Sequence, residues 1–190
     1  MSTPRSSEVF VSLLRGINVG GNNKVKMADL RESYRSLGFG DVQSYIQSGN
    51  VVFRADSDAN ARVIETAIER RITSDYGLTV PVMAMSAQEL QGVMDASPFD
   101  TADDAKTVIV FLSGEGNRSW AERARDHLKG EEGLATTDVA AYFHAANGLG
   151  RGKAASLLLS PPPKGIKATM RNMRTLNSLL AMASDEVREK

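Results

Sequence analysis

The chain has no cysteine in its 190 residues. This absence excludes disulfides, thiol nucleophiles and thiolate metal sites, and it fits a reducing compartment. No apolar run is long enough to cross a bilayer, and the polar residues 1–7 lack the apolar core of a secretory signal. We therefore expect a cytoplasmic protein with no membrane partner.

An excess of charge of either sign is also missing, since 23 basic and 23 acidic residues give a formal net charge of +0. A balanced charge disfavours a surface that grips long nucleic acids, although a local basic patch remains compatible with it. His127 and His144 stand apart from each other, without the i, i+4 histidine pair of a helical zinc site. Asp100, Asp103 and Asp104 lack the EF-hand pattern. We predict no metal and no cofactor.

Carboxylates are absent from three stretches, which lie between residues 8 and 29, 41 and 56, and 138 and 185. Each stretch contains a loop marked by glycine. The last stretch holds six cations, which are Arg151, Lys153, Lys164, Lys167, Arg171 and Arg174. These segments are therefore candidates for surfaces that attract anions.

The first half of the chain predicts the order β-α-β-β-α-β. The pattern indicates strands at 9–14, 42–47, 51–54 and 79–85, and helices that begin near Met27 and after a cap at Asp58. Gly77 is expected to end the second helix. Pro81 cannot donate to a central ladder, so the last strand is expected at a sheet edge. This is the ferredoxin-like order.

The second half predicts a further α+β unit. Capping boxes at 86–89 and 119–122 indicate two helices, and apolar runs at 107–112 and 140–145 indicate strands. A short helix at 153–159 precedes a final amphipathic helix, with Arg171, Arg174 and Thr175 at helical spacing. We predict an α+β fold of two ferredoxin-like half-domains with antiparallel sheets, the second less regular, and a C-terminal helix. The expected subdomains are 1–85 and 86–190.

The loop at residues 15–24 is the main candidate for function. Glycine at 16, 20 and 21 permits positive φ and close approach of the backbone to a ligand. Further donors come from five residues of the same loop, Arg15, Asn18, Asn22, Asn23 and Lys24. These features predict an anion site that includes Gly20 and Gly21. The alternative is that the asparagines satisfy their own backbone and the glycines only permit turns.

Partners for this loop are predicted in the second half. We expect the loop after the first strand and the hairpin after the second strand to lie at opposite ends of the sheet, so residues 48–50 are interpreted as a structural turn. The segment 147–154 lacks the first glycine of a P-loop and the Ser or Thr after the lysine, but its amides suit a phosphate or carboxylate. The predicted partners are Arg151, Lys153, Arg171, Asn172 and Arg174.

The function predicted from these residues is binding of a phosphorylated small ligand or other anion between the two subdomains. A module for RNA or single-stranded nucleic acid is an alternative, with Phe10 and Phe53 available for base stacking. An enzyme of unknown reaction is another, because Ser48, Asn50, Asn172 and Thr175 are suited to position a substrate. No base matched to a nucleophile is evident. A scaffolding protein also remains open, and no oligomeric state is predicted.

Three segments resemble the domain of unknown function 1697 family, a bacterial group of small uncharacterised proteins. They are LRGINVGG at 14–21, YIQSGNVVF at 45–53 and TMRNMRT at 169–175. In the third segment an aromatic residue usually follows the Arg-Asn pair, whereas Met173 stands here. The resemblance implies an α+β fold of two ferredoxin-like halves, and it implies no activity.

Overall fold

The computed structural model describes residues 7–21, 23–99, 104–150 and 152–188, with side chains described as far as residue 184. The backbone divides into two compact units. The first runs as far as Leu90 and resumes at Ser178, and the second comprises Gln91–Asn177. Within the described ranges, no helix has both the length and the apolar character needed to span a bilayer.

The first unit has the predicted order of elements. They are β1 (Ser7–Leu14), α1 (Met27–Arg35), β2 (Gly40–Tyr45), β3 (Asn50–Asp56), α2 (Ala61–Tyr76) and β4 (Val82–Ser86). Helix α3 (Ala87–Asp95) follows, and the division between the units falls within it. The strands form an antiparallel sheet in the order β2-β3-β1-β4. The ferredoxin-like arrangement is confirmed for this half. Pro81 directly precedes the edge strand β4, as a residue without an N–H requires.

Helix α2 shows how local sequence sets the elements of this unit. Ile64, Ile68 and Ile72 recur every four residues and are buried, so they form the stripe that packs in the core. The helix ends at Gly77, which has a left-handed φ of 67° as predicted. The predicted cap at Asp58 is wrong, because Asn60 accepts the N–H of Arg62 instead.

The core of the first unit contains an aromatic cluster. Phe10 and Phe53 stack at 6.0 Å between ring centroids, and Tyr34 meets the edge of Phe53 at 5.4 Å. Tyr34 is fully buried, and its hydroxyl shares a hydrogen bond of 2.8 Å with the Ser12 hydroxyl. Burial raises the pKa of Tyr34, so the phenol stays neutral and its single polar atom is satisfied.

The edge strand β4 is covered by three glutamate carboxylates. Each accepts a backbone N–H of the strand, in the pairs Val82 with Glu69, Ala84 with Glu65 and Ser86 with Glu89, at 2.9, 3.0 and 2.8 Å. The last pair belongs to the predicted capping box, which is confirmed because the Ser86 hydroxyl also accepts the Glu89 N–H. Unpaired N–H groups at a sheet edge promote association with other chains, so this ladder protects the edge.

We expect the substitution Glu65→Ala to lower the free energy of unfolding by about 1–3 kcal/mol, because it leaves the buried Ala84 N–H without that acceptor. The isosteric Glu65→Gln retains an acceptor oxygen and is expected to lose less than half as much. Urea denaturation followed by circular dichroism measures both. Equal losses in the two variants would show that the charge, and not the hydrogen bond, stabilises the edge.

The second unit repeats the order of the first. Its elements are β5 (Thr107–Ser113), α4 (Asn117–Glu122), a 3-10 turn at Arg125–His127, β6 (Gly133–Thr136), β7 (Ala140–His144), α5 (Lys153–Leu159) and β8 (Lys167–Asn172). Helix α6 (Met173–Arg188) follows, and the division between the units falls within it. The antiparallel order β6-β7-β5-β8 corresponds to β2-β3-β1-β4. Two ferredoxin-like half-domains and a C-terminal helix are thus confirmed. The second half is more regular than expected, because β6 and β8 were not predicted.

The position of Arg171 corrects a prediction. It lies in strand β8 and pairs with Ile109 of β5, so it is not on the last helix. Strand β5 is central and buried, and it needs a hydrogen-bonding partner on each side, which outweighs the local helical spacing. Helix α6 begins directly after Asn172, whose side chain accepts the Thr175 N–H at 2.9 Å.

The capping box predicted at residues 119–122 is also wrong. Gly116 adopts a left-handed φ of 76° and starts helix α4 two residues earlier, at Asn117. The Glu122 carboxylate instead accepts hydrogen bonds from Arg125 and Thr136. These bonds lower the pKa of Glu122 to about 2, with the Arg125 guanidinium as the largest cause.

Candidate functional site

Two loops of the first unit meet at one end of its sheet. Leu13 pairs with Asn50, so the end of β1 lies beside the start of β3. Strands β1 and β2 are each antiparallel to β3, and the chain therefore leaves both of them at the same end. The prediction that the β1 loop and the hairpin lie at opposite ends is wrong for this reason. We call residues 15–21, 23–26 and 46–49 together the loop cluster.

Hydrogen bonds and close packing join the two loops. The Leu14 N–H donates to the Gly49 carbonyl at 2.8 Å, and the Asn18 amide Nδ2 donates to the Gln47 carbonyl at 2.8 Å. Gly49 has a φ of 75°, and a Cβ there would lie 2.7 Å from the Leu14 Cβ. Only glycine therefore lets the hairpin approach the end of β1 this closely.

Asn18 has a structural role within the loop cluster. Its Nδ2 also donates to the Val25 carbonyl at 2.9 Å, and its Oδ1 accepts the Val25 N–H at 2.9 Å. Asn23 likewise donates to the Gly16 carbonyl at 3.0 Å. Both amide hydrogens of Asn18 are used, so this side chain positions the loop and does not offer a donor to a ligand. The alternative interpretation, in which the asparagines satisfy backbone groups and bind no ligand, thus applies to Asn18 and Asn23.

The remaining described residues predicted in this loop differ in exposure. Gly20, Gly21 and Lys24 are exposed, and a Cβ on either glycine would meet no atom within 4 Å. Arg15 is half-buried, and burial lowers the pKa of its guanidinium. Asn22 lies outside the described residues. The loop therefore presents a half-buried cation, an exposed cation and accessible backbone on one segment.

The predicted residues of the second half that the structure describes belong to segments at one end of the second sheet. Thr107 at the start of β5 pairs with His144, and its neighbour Val108 pairs with Asn172, so the ends of β7 and β8 meet there. Three predicted cations belong to the segments at this end, namely Lys153, Arg171 and Arg174. Arg151 lies outside the described residues.

Arg171 is held within its own strand segment. Its Nη1 donates to the Thr169 hydroxyl at 3.1 Å and to the Met170 carbonyl at 2.7 Å. Burial lowers the pKa of Arg171 to about 10. Arg174 is exposed, and its backbone N–H donates to the carbonyl of Asp104. Acceptors of the second unit thus hold the guanidinium of Arg171 and the backbone N–H of Arg174.

A buried carboxylate reaches the basic loop of the second unit. The Oε1 of Glu132 would lie 3.0 Å from a Cβ added to Gly152, directly before helix α5. Glu132 precedes the acid-free stretch in sequence, but in the folded chain its carboxylate lies beside Gly152, within that stretch. A negative charge at this position opposes binding of a phosphate at the start of α5. In contrast, both segments of the loop cluster come from acid-free stretches, 9–28 and 42–55.

The second unit contains a shorter version of the same loop junction. The Leu112 N–H donates to the Val139 carbonyl at 2.8 Å, and the Asn117 Nδ2 donates to the Asp138 carbonyl at 2.8 Å. The first bond corresponds to that of Leu14, and the second, like that of Asn18, joins the segment after the first strand of the unit to the hairpin. Three residues separate β5 from α4, whereas twelve separate β1 from α1. A connection of three residues is enough to form this junction in the second unit. The twelve-residue loop of the first unit is therefore longer than the fold requires.

The residues of the alternative functions are mostly structural. Phe10 and Phe53 lie on β1 and β3 as expected, but both are buried and offer no surface for bases. Asn50 is buried and its Nδ2 donates to the Ser48 hydroxyl at 3.0 Å. Asn172 caps α6 through Thr175. These contacts give no support to a base-stacking surface or a substrate-positioning set.

Two other kinds of site are alternatives to the loop cluster, a pocket and a metal centre. A pocket of about 490 Å³ lies at the other end of the first sheet, but Glu8 and Glu89 line it. Among the residues that the structure describes, no group of three or more His, Asp or Glu is arranged to hold a metal. Asp100 and Asp103 lie outside that part of the chain. The loop cluster is thus the candidate site for an anion in the first unit.

The fold and this site define an α+β protein of two ferredoxin-like units, the first with an extended glycine-rich loop. The chain belongs to the family described as proteins of unknown function (DUF1697), whose model matches residues 8–142. It is also similar in structure to a conserved bacterial protein, SP0830 from Streptococcus pneumoniae. That similarity has a TM-score of 0.74 and 25% identity, and it covers 94% of this chain and 99% of the other. No curated protein matches the chain.

Proposed function

We propose that the loop cluster of the first unit binds an anion, and that its ligand is a phosphorylated small molecule. The observation that carries this proposal is that two acid-free segments, 9–28 and 42–55, each contribute a loop to the same end of the first sheet. No carboxylate is contributed by either loop, whereas Arg15 and Lys24 both belong to the cluster. A local positive field therefore exists in a chain of zero net charge.

The described contacts assign different tasks to the residues. The half-buried Arg15 supplies a planar set of donors that suits two phosphate oxygens, and its partial burial strengthens the attraction. Lys24 supplies an exposed point charge. Gly20 and Gly21, with φ of 59° and 80°, let a ligand approach the backbone closely. The Asn18 side chain attaches this loop to the hairpin through its hydrogen bond to the Gln47 carbonyl.

Titration with inorganic phosphate, followed by calorimetry and by amide chemical shifts, tests the proposal. We expect the shifts to concentrate in residues 15–26 and 46–49. The variant Arg15→Gln with Lys24→Gln is expected to bind at least about tenfold more weakly, which corresponds to about 1.4 kcal/mol. Glutamine keeps the length of the side chains and removes the charges.

The control is a second double variant that removes the same charge elsewhere. Arg70 and Lys129 are exposed cations outside the loop cluster. Arg70→Gln with Lys129→Gln is expected to change the affinity less than twofold. If both double variants lose affinity equally, phosphate responds only to net charge and the proposed site is refuted.

A further inference from the structure

We infer that the ligand of the loop cluster carries a compact apolar group beside its anion, as an aryl or branched-alkyl phosphate does. This inference rests on the proposed function and narrows its ligand class. Its basis is that Val19 and Ile46, one from each loop, expose 59% and 53% of their surfaces. Single exposed apolar residues are ordinary, but here two of them flank the same polar site.

Ile46 is unfavourable for the free protein in two respects. Its φ of 48° is left-handed, a backbone conformation that is strained for a β-branched residue. Its side chain also leaves more than half of its apolar surface in water. Glycine or asparagine at this position would relieve the strain, and neither would expose so large an apolar surface. Neither the backbone nor the packing of the turn calls for isoleucine, whereas contact with an apolar ligand group does.

The hydrogen bond that joins the loops also positions both apolar residues. Val19 directly follows Asn18, and Ile46 directly precedes Gln47, whose carbonyl accepts from the Asn18 amide at 2.8 Å. The same loop carries Arg15 and Lys24. The loop cluster therefore carries two cations and exposes two apolar side chains. Such a surface matches a ligand with an anionic group and a short apolar group.

The second unit provides an internal comparison. Val139 is also exposed in a hairpin turn, at 55%, and its carbonyl occupies the position that Gly49 has in the first unit. Among the described residues, positive φ outside glycine occurs at Asn18, Asn23, Asp41 and Ile46 and not at Val139. Both hairpins thus expose a β-branched residue. Ile46 differs from Val139 in that its backbone is strained and its hairpin contacts the extended loop.

Calorimetric titration with inorganic phosphate and with phenyl phosphate tests the inference. We expect the unmodified protein to bind phenyl phosphate at least about tenfold more tightly than inorganic phosphate, since burying a few methylene equivalents gives about 1.4 kcal/mol or more. Ile46→Gly and Ile46→Asn should each remove most of that difference. Their affinity for inorganic phosphate should fall much less than their affinity for phenyl phosphate. Val139→Gly should alter neither affinity.

Stability distinguishes loss of contact from loss of structure. Both Ile46 variants are expected to unfold at the same or a higher urea concentration than the unmodified protein, because the left-handed strain is relieved. Equal affinities for the two phosphates in the unmodified protein would overturn this inference and leave the proposed anion site intact. Parallel loss of both ligands in the Ile46 variants would also overturn it. Failure of both compounds to bind would refute the proposed function itself.

Discussion

Alanine at position 49 will lower the free energy of unfolding by about 2–5 kcal/mol, as a sum of left-handed strain and overpacking. The new Cβ would lie 2.7 Å from the Leu14 Cβ and 3.3 Å from the Ile17 Cβ, and its residue has a φ of 75°. Neither contact is with the end of a flexible side chain, so the hairpin must move away from β1. This loss is large beside a total stability of about 5–15 kcal/mol.

A matched substitution separates strain from crowding. Gly20 has a similar φ of 59°, but no atom lies within 4 Å of an added Cβ. Gly20→Ala is therefore expected to cost only about 1 kcal/mol, from the backbone alone. Urea denaturation followed by circular dichroism measures both variants. Equal losses would mean that the hairpin is not held against Leu14 as described.

The order of elements could be predicted because local signals and the global arrangement agree. Continuous apolar runs marked β1 and β5, the isoleucine stripe marked α2, and Pro81 indicated the edge position of β4. Strand β8 was missed because its sequence does not distinguish a strand from the start of helix α6. Residues 167–172 form a strand because β5 needs a second hydrogen-bonding partner, and that need is visible only in the whole sheet.

The candidate site was predicted in part, and the error was one of topology. The glycine loop and the acid-free stretches were visible as sequence features, and so was the hairpin at residues 48–50. Their convergence depends on the antiparallel pairing of β1 with β3, since this pairing puts Leu13 beside Asn50. A strict count of strand directions in β-α-β-β-α-β would have found it. The role of Asn18 could not be predicted, because it depends on the backbone of a remote turn.

Absence of acids in sequence also proved an incomplete guide to local charge. Glu132 returns to the loop before α5, so the basic segment of the second unit has a carboxylate beside it. The β1 loop and the hairpin come from two acid-free segments that meet each other. The two regions have similar compositions and different electrostatic surroundings. Charge patterns along a chain therefore acquire meaning only when the pairing of strands is known.

Removal of the Asn18 side chain is the second change with a large expected effect. Asn18→Ala loses three hydrogen bonds, each worth about 1 kcal/mol, and places alanine at a left-handed φ that costs about 1 kcal/mol more. The observed φ of Asn18 is 55°. We expect a loss of about 4 kcal/mol in the free energy of unfolding. Amide exchange should accelerate at Val25, whose N–H donates to the Asn18 Oδ1, and phosphate affinity should fall at least about tenfold.

The corresponding residue of the second unit supplies the control. Asn117 donates to the Asp138 carbonyl, and Asn117→Ala is expected to cost about 1–2 kcal/mol without changing phosphate affinity. Asn18→Gly tests the remaining ambiguity, since glycine tolerates the left-handed backbone but makes none of the side-chain bonds. If Asn18→Gly keeps full affinity for phosphate, the loop after β1 forms its binding surface without attachment to the hairpin. The joined loops would then be a feature of the fold alone, and the anion site would have to be assigned to residues 15–26 by themselves.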